Sequence, residues 1–240
     1  MKLERLNFYE ACVKIADLSN ITLEHESSLS EEQQQAYKDR KTAAGAQEEV
    51  LNFIIPVYQK MLHDLPADHP AKVWLAERKM DDEAIAKWQV GWAGDQWNTV
   101  ATPLINNGLF EAAHKMGIIK RSQDNTSNYD GYKNRIIFPI RDKNGRFIGL
   151  GGRYIKTSDS DSYDPPKYIN PAECDLYSKS NVLFGLAEAI KAIKELGFAY
   201  VSEGYMDVIS RSRAGLQNIV GTCGTAFTKQ QMRLLKKYTN

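Results

Sequence analysis

The apolar positions change period about halfway along the chain. In the first half they recur at helical spacing. Leu3, Leu6, Phe8, Cys12, Ile15 and Leu18 fall roughly one turn apart and predict a helix over 3–18. A polar stretch from about His25 to Gln47, with Gln33-Gln34-Gln35 inside it, predicts a linker running into a solvated helix. Val50, Phe53, Ile54, Val57, Tyr58, Met61 and Leu62 then form one apolar face, in which Pro56 is expected to kink or restart the helix. Asp68 and Pro70 introduce a short helix containing Val73, Trp74 and Leu75. Asp81 or Asp82 should cap another around Glu83–Trp88.

Beyond about residue 130 the period shortens. Arg135–Ile140 and Phe147–Leu150 read as strands, and Asp142-Lys143-Asn144-Gly145 between them is a hairpin signal. Ser, Asp and Pro make 157–166 a loop. Leu183, Leu186, Ala187, Ile190 and Ile193 mark an amphipathic helix. A strand over Phe198–Ser202, a helix from about Met206, a strand over Gln217–Val220 and a helix from Lys229 complete the pattern. That β-α-β-α order requires parallel strands with crossover helices. The fold class expected is α+β / α/β: a mostly helical region over 1–110, a mixed α/β subdomain over 111–195, and a βαβα unit over 196–240.

Composition narrows the classes of function. The 240 residues are 42% hydrophobic and 25% charged, with 31 basic against 30 acidic side chains, so a wholesale polycation is excluded. Charge is nevertheless uneven. Residues 1–52 carry ten acidic and six basic groups, whereas 115–153 carry nine basic and three acidic ones. The second segment suits a phosphate-binding face or, equally, a solvated hairpin. No run approaches the ~18 apolar residues that span a bilayer, so no membrane partner is expected. The N-terminus lacks a secretory apolar region. Cys12, Cys174 and Cys223 stand too far apart for a disulfide framework or a zinc site, and the histidines pair with none of them. A reduced cytoplasm is the expected compartment.

Candidate chemistry gathers in the second half. In Val201-Ser202-Glu203-Gly204-Tyr205-Met206-Asp207 a strand ends in a carboxylate, a glycine follows and a helix begins. Ligands collect at the carboxyl ends of parallel strands. Asp207 lies about one turn beyond Glu203, so the two acids suit a hard divalent cation. They also suit a helix N-terminus, through the macrodipole alone. Gly221-Thr222-Cys223-Gly224-Thr225 follows the next strand; a plain turn explains it better than a phosphate loop, and Cys223 reads as a buried packing residue. Gly149-Leu150-Gly151-Gly152-Arg153 could admit a close backbone or template and deliver Arg153 to phosphate. Lys167, Tyr168, Asn170 and Lys179 add cations, a ring and an amide, a combination suited to single-stranded nucleic acid.

These motifs, in order, resemble the RNA polymerase core of bacterial DnaG-type primases. Tyr129-Asp130 through Asn134-Arg135-Ile136-Ile137-Phe138-Pro139-Ile140 is similar to one segment of that family, and Asp142 through Arg153 to its continuation. Lys167-Tyr168-Ile169-Asn170-Pro171 and Lys179 with Leu183-Phe184-Gly185-Leu186 are similar to two more. Ser202-Glu203-Gly204-Tyr205-Met206-Asp207-Val208 resembles the signature of its Toprim domain, and Gly221 through Thr228 a later turn. Residues 20–110 match loosely. Gly131 stands where the family often has a basic residue, and Leu150 where it usually has Phe.

The resemblance implies a fragment of a DNA primase catalytic core, which copies single-stranded DNA into short RNA primers from ribonucleoside triphosphates with Mg²⁺ or Mn²⁺. It implies Glu203 and Asp207 as catalytic, metal-binding acids. It assigns Arg135, Arg153, Lys167, Tyr168, Asn170, Lys179 and Tyr205 to nucleotide and DNA contacts. The family's Asp-x-Asp pair, its zinc domain and the domain that meets the replicative helicase all match nothing in these residues. The 196–240 unit therefore reads as the first half of a Toprim domain, and the chain is expected to be inactive alone. Two rival readings are a non-catalytic single-stranded nucleic-acid-binding module and another Toprim enzyme; the latter lacks the Lys167 and Arg153 segments.

Overall fold

The computed structural model describes residues 31–157, 165–224 and 226–239. The expected helix over 3–18 lies outside them. Contacts divide the chain into residues 1–45 and 46–240. In the first unit, Gln35 Nε2 donates to Asp39 Oδ1 at 2.7 Å, a surface pair one helical turn apart.

Helix α1 runs over Glu31–Asp64, so the expected polar linker is already helical from Glu31. The expected restart at Pro56 does not occur: Pro56 lies inside one continuous helix. The reason is its face. Pro56 and Asn52, whose carbonyl loses its donor, are both exposed, so water can replace the missing bond. The opposite face buries Val50, Leu51, Ile54, Ile55, Tyr58 and Leu62. Helix α2 (Pro70–Glu77) is capped by His69, whose Nδ1 accepts from Ala71 N–H at 3.1 Å. Helix α3 (Asp82–Trp88) is capped by Asp81, which accepts from Ala84 N–H at 2.9 Å and pairs with Arg213.

A four-stranded antiparallel sheet follows in the order β1-β4-β5-β6. Its strands are β1 (Gly91–Trp92), β4 (Arg135–Arg141), β5 (Phe147–Tyr154) and β6 (Tyr168–Ile169). The expected hairpin is β4–β5, with Asp142 Oδ1 accepting from the N–H groups of Asn144 and Arg146 across the turn. Between β1 and β4 lie α4 (Ala101–Asn106), α5 (Phe110–Lys115) and a hairpin, β2 (Ile119–Arg121) with β3 (Asn128–Asp130). The apolar pattern did not announce these short elements. Asp130 fixes them: its carboxylate accepts from Val100 and Ala101 N–H and so caps α4 from β3.

The C-terminal unit is the expected βαβα. Strands β7 (Tyr200–Ser202) and β8 (Ile219–Gly221) pair in parallel, with α7 (Tyr205–Arg213) crossing between them. Helices α6 (Leu186–Leu196) and α8 (Lys229–Leu235) complete it. Alternation along β8 sends Ile219 into a cluster with Val208 and Ile209 of α7, and Val220 into one with Leu186, Ile193 and Leu235. Helices thus cover both faces of the parallel pair. Leu183 and Phe184 precede α6 rather than joining it; Phe184 exchanges two backbone hydrogen bonds with Gly221. The largest hydrophobic cluster holds Leu62, Trp88, Phe138, Phe184 and Tyr205 together, so it joins α1, α3, the antiparallel sheet and α7.

Candidate nucleic-acid interface

Parallel pairing sets the first part of the site. Ser202 ends β7, and its carbonyl takes Thr222 N–H at 3.0 Å. The Glu203 carbonyl takes Gly224 N–H, also at 3.0 Å. Glu203 is therefore held at a strand end with its side chain exposed. Gly204 is the N-cap residue of α7, and a Cβ there would lie 3.1 Å from Asp207 Oδ2. The Asp207 carboxylate thus folds back over the turn that carries Glu203, while its Oδ1 pairs with Arg211 Nη1 at 2.7 Å. The Gly221–Gly224 segment uses its N–H groups on Phe184, Ser202 and Glu203, which makes it a structural turn. Cys223 is 2% exposed at φ +57°, and burial pushes its thiol up to about 11.

The second part is a rim of cations and rings at the end of β5. Register places Arg153 opposite Tyr168 of β6. The Arg153 guanidinium lies 5.3 Å from the Tyr168 ring centre and 5.6 Å from that of Trp74 on α2. Its Nη1 donates to the Tyr154 carbonyl at 2.6 Å. Arg78, one turn beyond Trp74, covers the same indole at 3.9 Å. Burial raises the Tyr168 phenol, Arg153 and Arg78 pull it down, and Asp207 raises it. A cleft of about 370 Å³ is lined by Arg78, Lys79, Met206 and Asp207. Lys167 is exposed beside Tyr168. Sequence reasoning missed Trp74 and Arg78. Their only signal was a ring and a cation four apart on a short helix, a spacing far too common to point at a site.

Two of the expected contact residues are buried. Arg135 is only 5% exposed: its Nη1 donates to the Pro166 carbonyl at 2.9 Å and its aliphatic stem packs on Gly152. It ties the β6 approach to the sheet. Tyr205 is 3% exposed, stacked on Phe138 with ring centres 5.4 Å apart, and edge-on to Phe184 at 4.9 Å. It reaches the site only through its hydroxyl, which donates to Asn170 Oδ1 at 2.7 Å. The glycines before Arg153 lie against side chains of the same chain. A Cβ on Gly151 would lie 2.4 Å from the Tyr205 ring, and one on Gly149 2.9 Å from Pro171. They make room for the chain's own side chains. Asn170 is half-buried, its Nδ2 3.0 Å from where a Cβ on Gly224 would stand. Lys179 is half-buried in the loop after β6; its N–H donates to Glu173 Oε1 and its carbonyl takes Gln231 Nε2.

Glu203 and Asp207 are hard oxygen donors at one turn, and Mg²⁺ is usually held by one or two carboxylates together with substrate phosphates. The pair fits such an ion in part. Among the described residues no group of three or more His, Cys, Asp or Glu side chains could hold a metal. Nor is any described helix long and apolar enough to cross a membrane.

A parallel βαβα unit with a carboxylate at its first strand end, set against an antiparallel sheet rimmed by cations and rings, defines a mixed α/β protein with a Toprim-like end. Residues 200–240 match the Toprim-like family, and residues 57–190 match the N-terminal domain of the DNA primase catalytic core. The chain belongs to the DNA primase catalytic-core family. It is 30% identical over its whole length to the DNA primase of Salmonella typhimurium, covering 39% of that protein. It is 31% identical to the DNA primase of Listeria monocytogenes, covering 37% of it. Among solved structures, a DnaG primase catalytic domain bound to single-stranded DNA superposes with a TM-score of 0.74 at 31% identity, over 83% of this chain and 62% of that one. The zinc-binding and RNA polymerase domains of Aquifex aeolicus primase give 0.70 at 29% identity, over 98% and 52%. The chain thus spans less than two fifths of the length of these curated relatives.

Proposed function

We propose that this chain is the template-holding part of a primase catalytic core, which makes short RNA primers on single-stranded DNA from ribonucleoside triphosphates. The observation that carries the reading is the cluster of Arg78, Arg153, Trp74 and Tyr168, with Asp207 lining the same cleft as Arg78. Cations over rings suit a single strand, because phosphates meet the charge and bases meet the rings. Arg153, Arg78 and Lys167 neutralise phosphate, and Tyr168 offers a stacking face. Asn170, steadied by Tyr205, presents an amide beside the Glu203 turn. Glu203 and Asp207 would hold Mg²⁺ or Mn²⁺, which when bound offsets the charge that develops during phosphoryl transfer.

The test is binding of a fluorescent single-stranded oligonucleotide, measured by anisotropy across a salt series. Binding should weaken steeply with salt, and Arg153→Ala or Lys167→Ala should each weaken it roughly tenfold at low salt and lower the salt slope by about one. Unchanged affinity in both variants would overturn the assignment.

A further inference from the structure

We propose that His69 is a positioning residue for the groove: its neutral imidazole caps α2 and so sets Trp74 and Arg78 against Arg153, and its protonation loosens them and weakens the hold on a single strand. The inference rests on the groove reading above. His69 itself lines a different cleft, of about 330 Å³, with Met61, Asp64, Leu65, Trp92 and Asp95.

Helix α2 has only eight residues, and isolated helices shorter than about 12–15 residues are marginal in water. Its ends therefore matter. Pro70 opens it and has no N–H, so Ala71 carries the first backbone donor of the helix. His69 Nδ1 accepts from that donor at 3.1 Å. The His69 carbonyl accepts from Val73 N–H at 3.0 Å, and the His69 N–H donates to the Pro66 carbonyl at 3.1 Å. The ring is half-buried and meets Trp92 of β1 edge-on, with ring centres 5.2 Å apart. One turn beyond Pro70, the centre of the Trp74 indole lies 3.9 Å from the Arg78 guanidinium and 5.6 Å from that of Arg153. The Trp74 carbonyl also accepts from Arg78 Nη1 at 3.1 Å. One short helix thus links the His69 ring to both guanidinium groups.

Helices α3 and α8 are capped by Asp81 and Thr228, whose oxygens still accept hydrogen bonds at mildly acidic pH. Histidine differs. In the imidazolium both ring nitrogens donate, so Nδ1 can no longer accept from Ala71. The new charge also stands at the positive end of the helix dipole. The surroundings of the ring oppose one another. Burial is the largest influence and pushes the imidazole below its ordinary value, Asp95 beyond β1 and Asp68 pull it up, and Lys72 of α2 adds to burial. Asp64 of α1 lines the same cleft but is engaged by Lys60 Nζ at 2.5 Å and His63 Nδ1 at 3.1 Å. An imidazole held low in the folded state binds fewer protons there than in the unfolded chain. The cap is therefore complete above the unfolded value of about 6.5 and is lost as pH falls through the folded one.

The experiment uses the full chain and a labelled single-stranded oligonucleotide of about 16 nucleotides, at constant ionic strength, between about pH 8 and about pH 5. The parent should bind roughly fivefold more weakly at the acid end, the fold-change that a lost cap corresponds to. His69→Asn keeps an acceptor that does not titrate, so it should match the parent at the alkaline end and hold that affinity throughout. His69→Ala has no acceptor and should bind at the alkaline end about as weakly as the parent does in acid, without a step. A His69→Asn chain with the same step as the parent would overturn the proposal, and so would a His69→Ala chain that matches the parent at the alkaline end. In either case a weakened Arg153→Ala shows that the groove stands. If Arg153→Ala and Lys167→Ala both bind as the parent does, the groove reading fails and takes this one with it.

Discussion

The Tyr205 hydroxyl donates to Asn170 Oδ1 at 2.7 Å, joining the first residue of α7 to the residue after β6. That bond crosses from the parallel unit to the antiparallel sheet at the site itself. The ring is locked by Phe138, by Phe184 and by the bare backbone of Gly151. Tyr205→Phe keeps all the packing and removes one hydrogen bond to a half-buried amide that water can reach. It should cost about 1 kcal/mol. Tyr205→Ala removes the ring and should cost about 3–5 kcal/mol. Urea unfolding of the three proteins checks both figures, and equal losses would show that the ring contributes nothing beyond its hydroxyl.

Gly151 is needed for space and not for backbone freedom. A methyl group there would sit 2.4 Å from Tyr205 Cζ and 2.5 Å from Cε2, well inside van der Waals contact. Gly151→Ala should therefore destabilise by about 1–3 kcal/mol through overpacking. Pairing it with Tyr205→Leu, which vacates the clash, should cost less than the sum of the two single changes. An additive double mutant in the same unfolding experiment would sink this account.

The sequence made the long elements legible, and for a physical reason. In β4, Arg135 to Ile140 is buried residue by residue, and the Asn144-Gly145 turn fixes the hairpin locally. The βαβα order at the end needs only short-range pattern, and the pairing of β7 with β8 follows from the handedness of crossovers. The small β2–β3 hairpin and α4 escaped because their support is remote: Asp130 caps a helix that begins 29 residues earlier in the chain. Glu203 and Arg153 were legible as strand ends. Arg135 and Tyr205 carried the same motif signal, yet burial turns both inward. Only tertiary contact separates a motif residue left exposed from one that holds its neighbour. Trp74 and Arg78 show the converse, since nothing local marks them until α2 is laid against β5.

A pH dependence follows from Asp175. Its Oδ2 accepts from Lys115 Nζ at 2.7 Å and from Gln47 Nε2 at 2.7 Å, while Gln47 Oε1 takes Leu176 N–H at 3.1 Å. Gln47 is only 1% exposed, so this knot fixes the loop before α6 to α1. The hydrogen bond from Lys115 is the largest influence holding the Asp175 carboxyl below the usual carboxylate range; the bond from Gln47 adds to it, against burial. A carboxyl lowered in the folded state binds fewer protons there than in the unfolded chain between the two values. Its contribution is therefore complete above the unfolded pKa of about 3.9 and is lost as pH falls through the folded value. Because Lys115 is half exposed, the contribution should be near 1 kcal/mol, below that of a fully buried charged pair. The difference in unfolding free energy between the parent and Asp175→Asn should then hold steady from about pH 7 to pH 5 and shrink below about pH 4. A difference that grows on acidification would mean that Asp175 is destabilised by its burial more than it is held by Lys115.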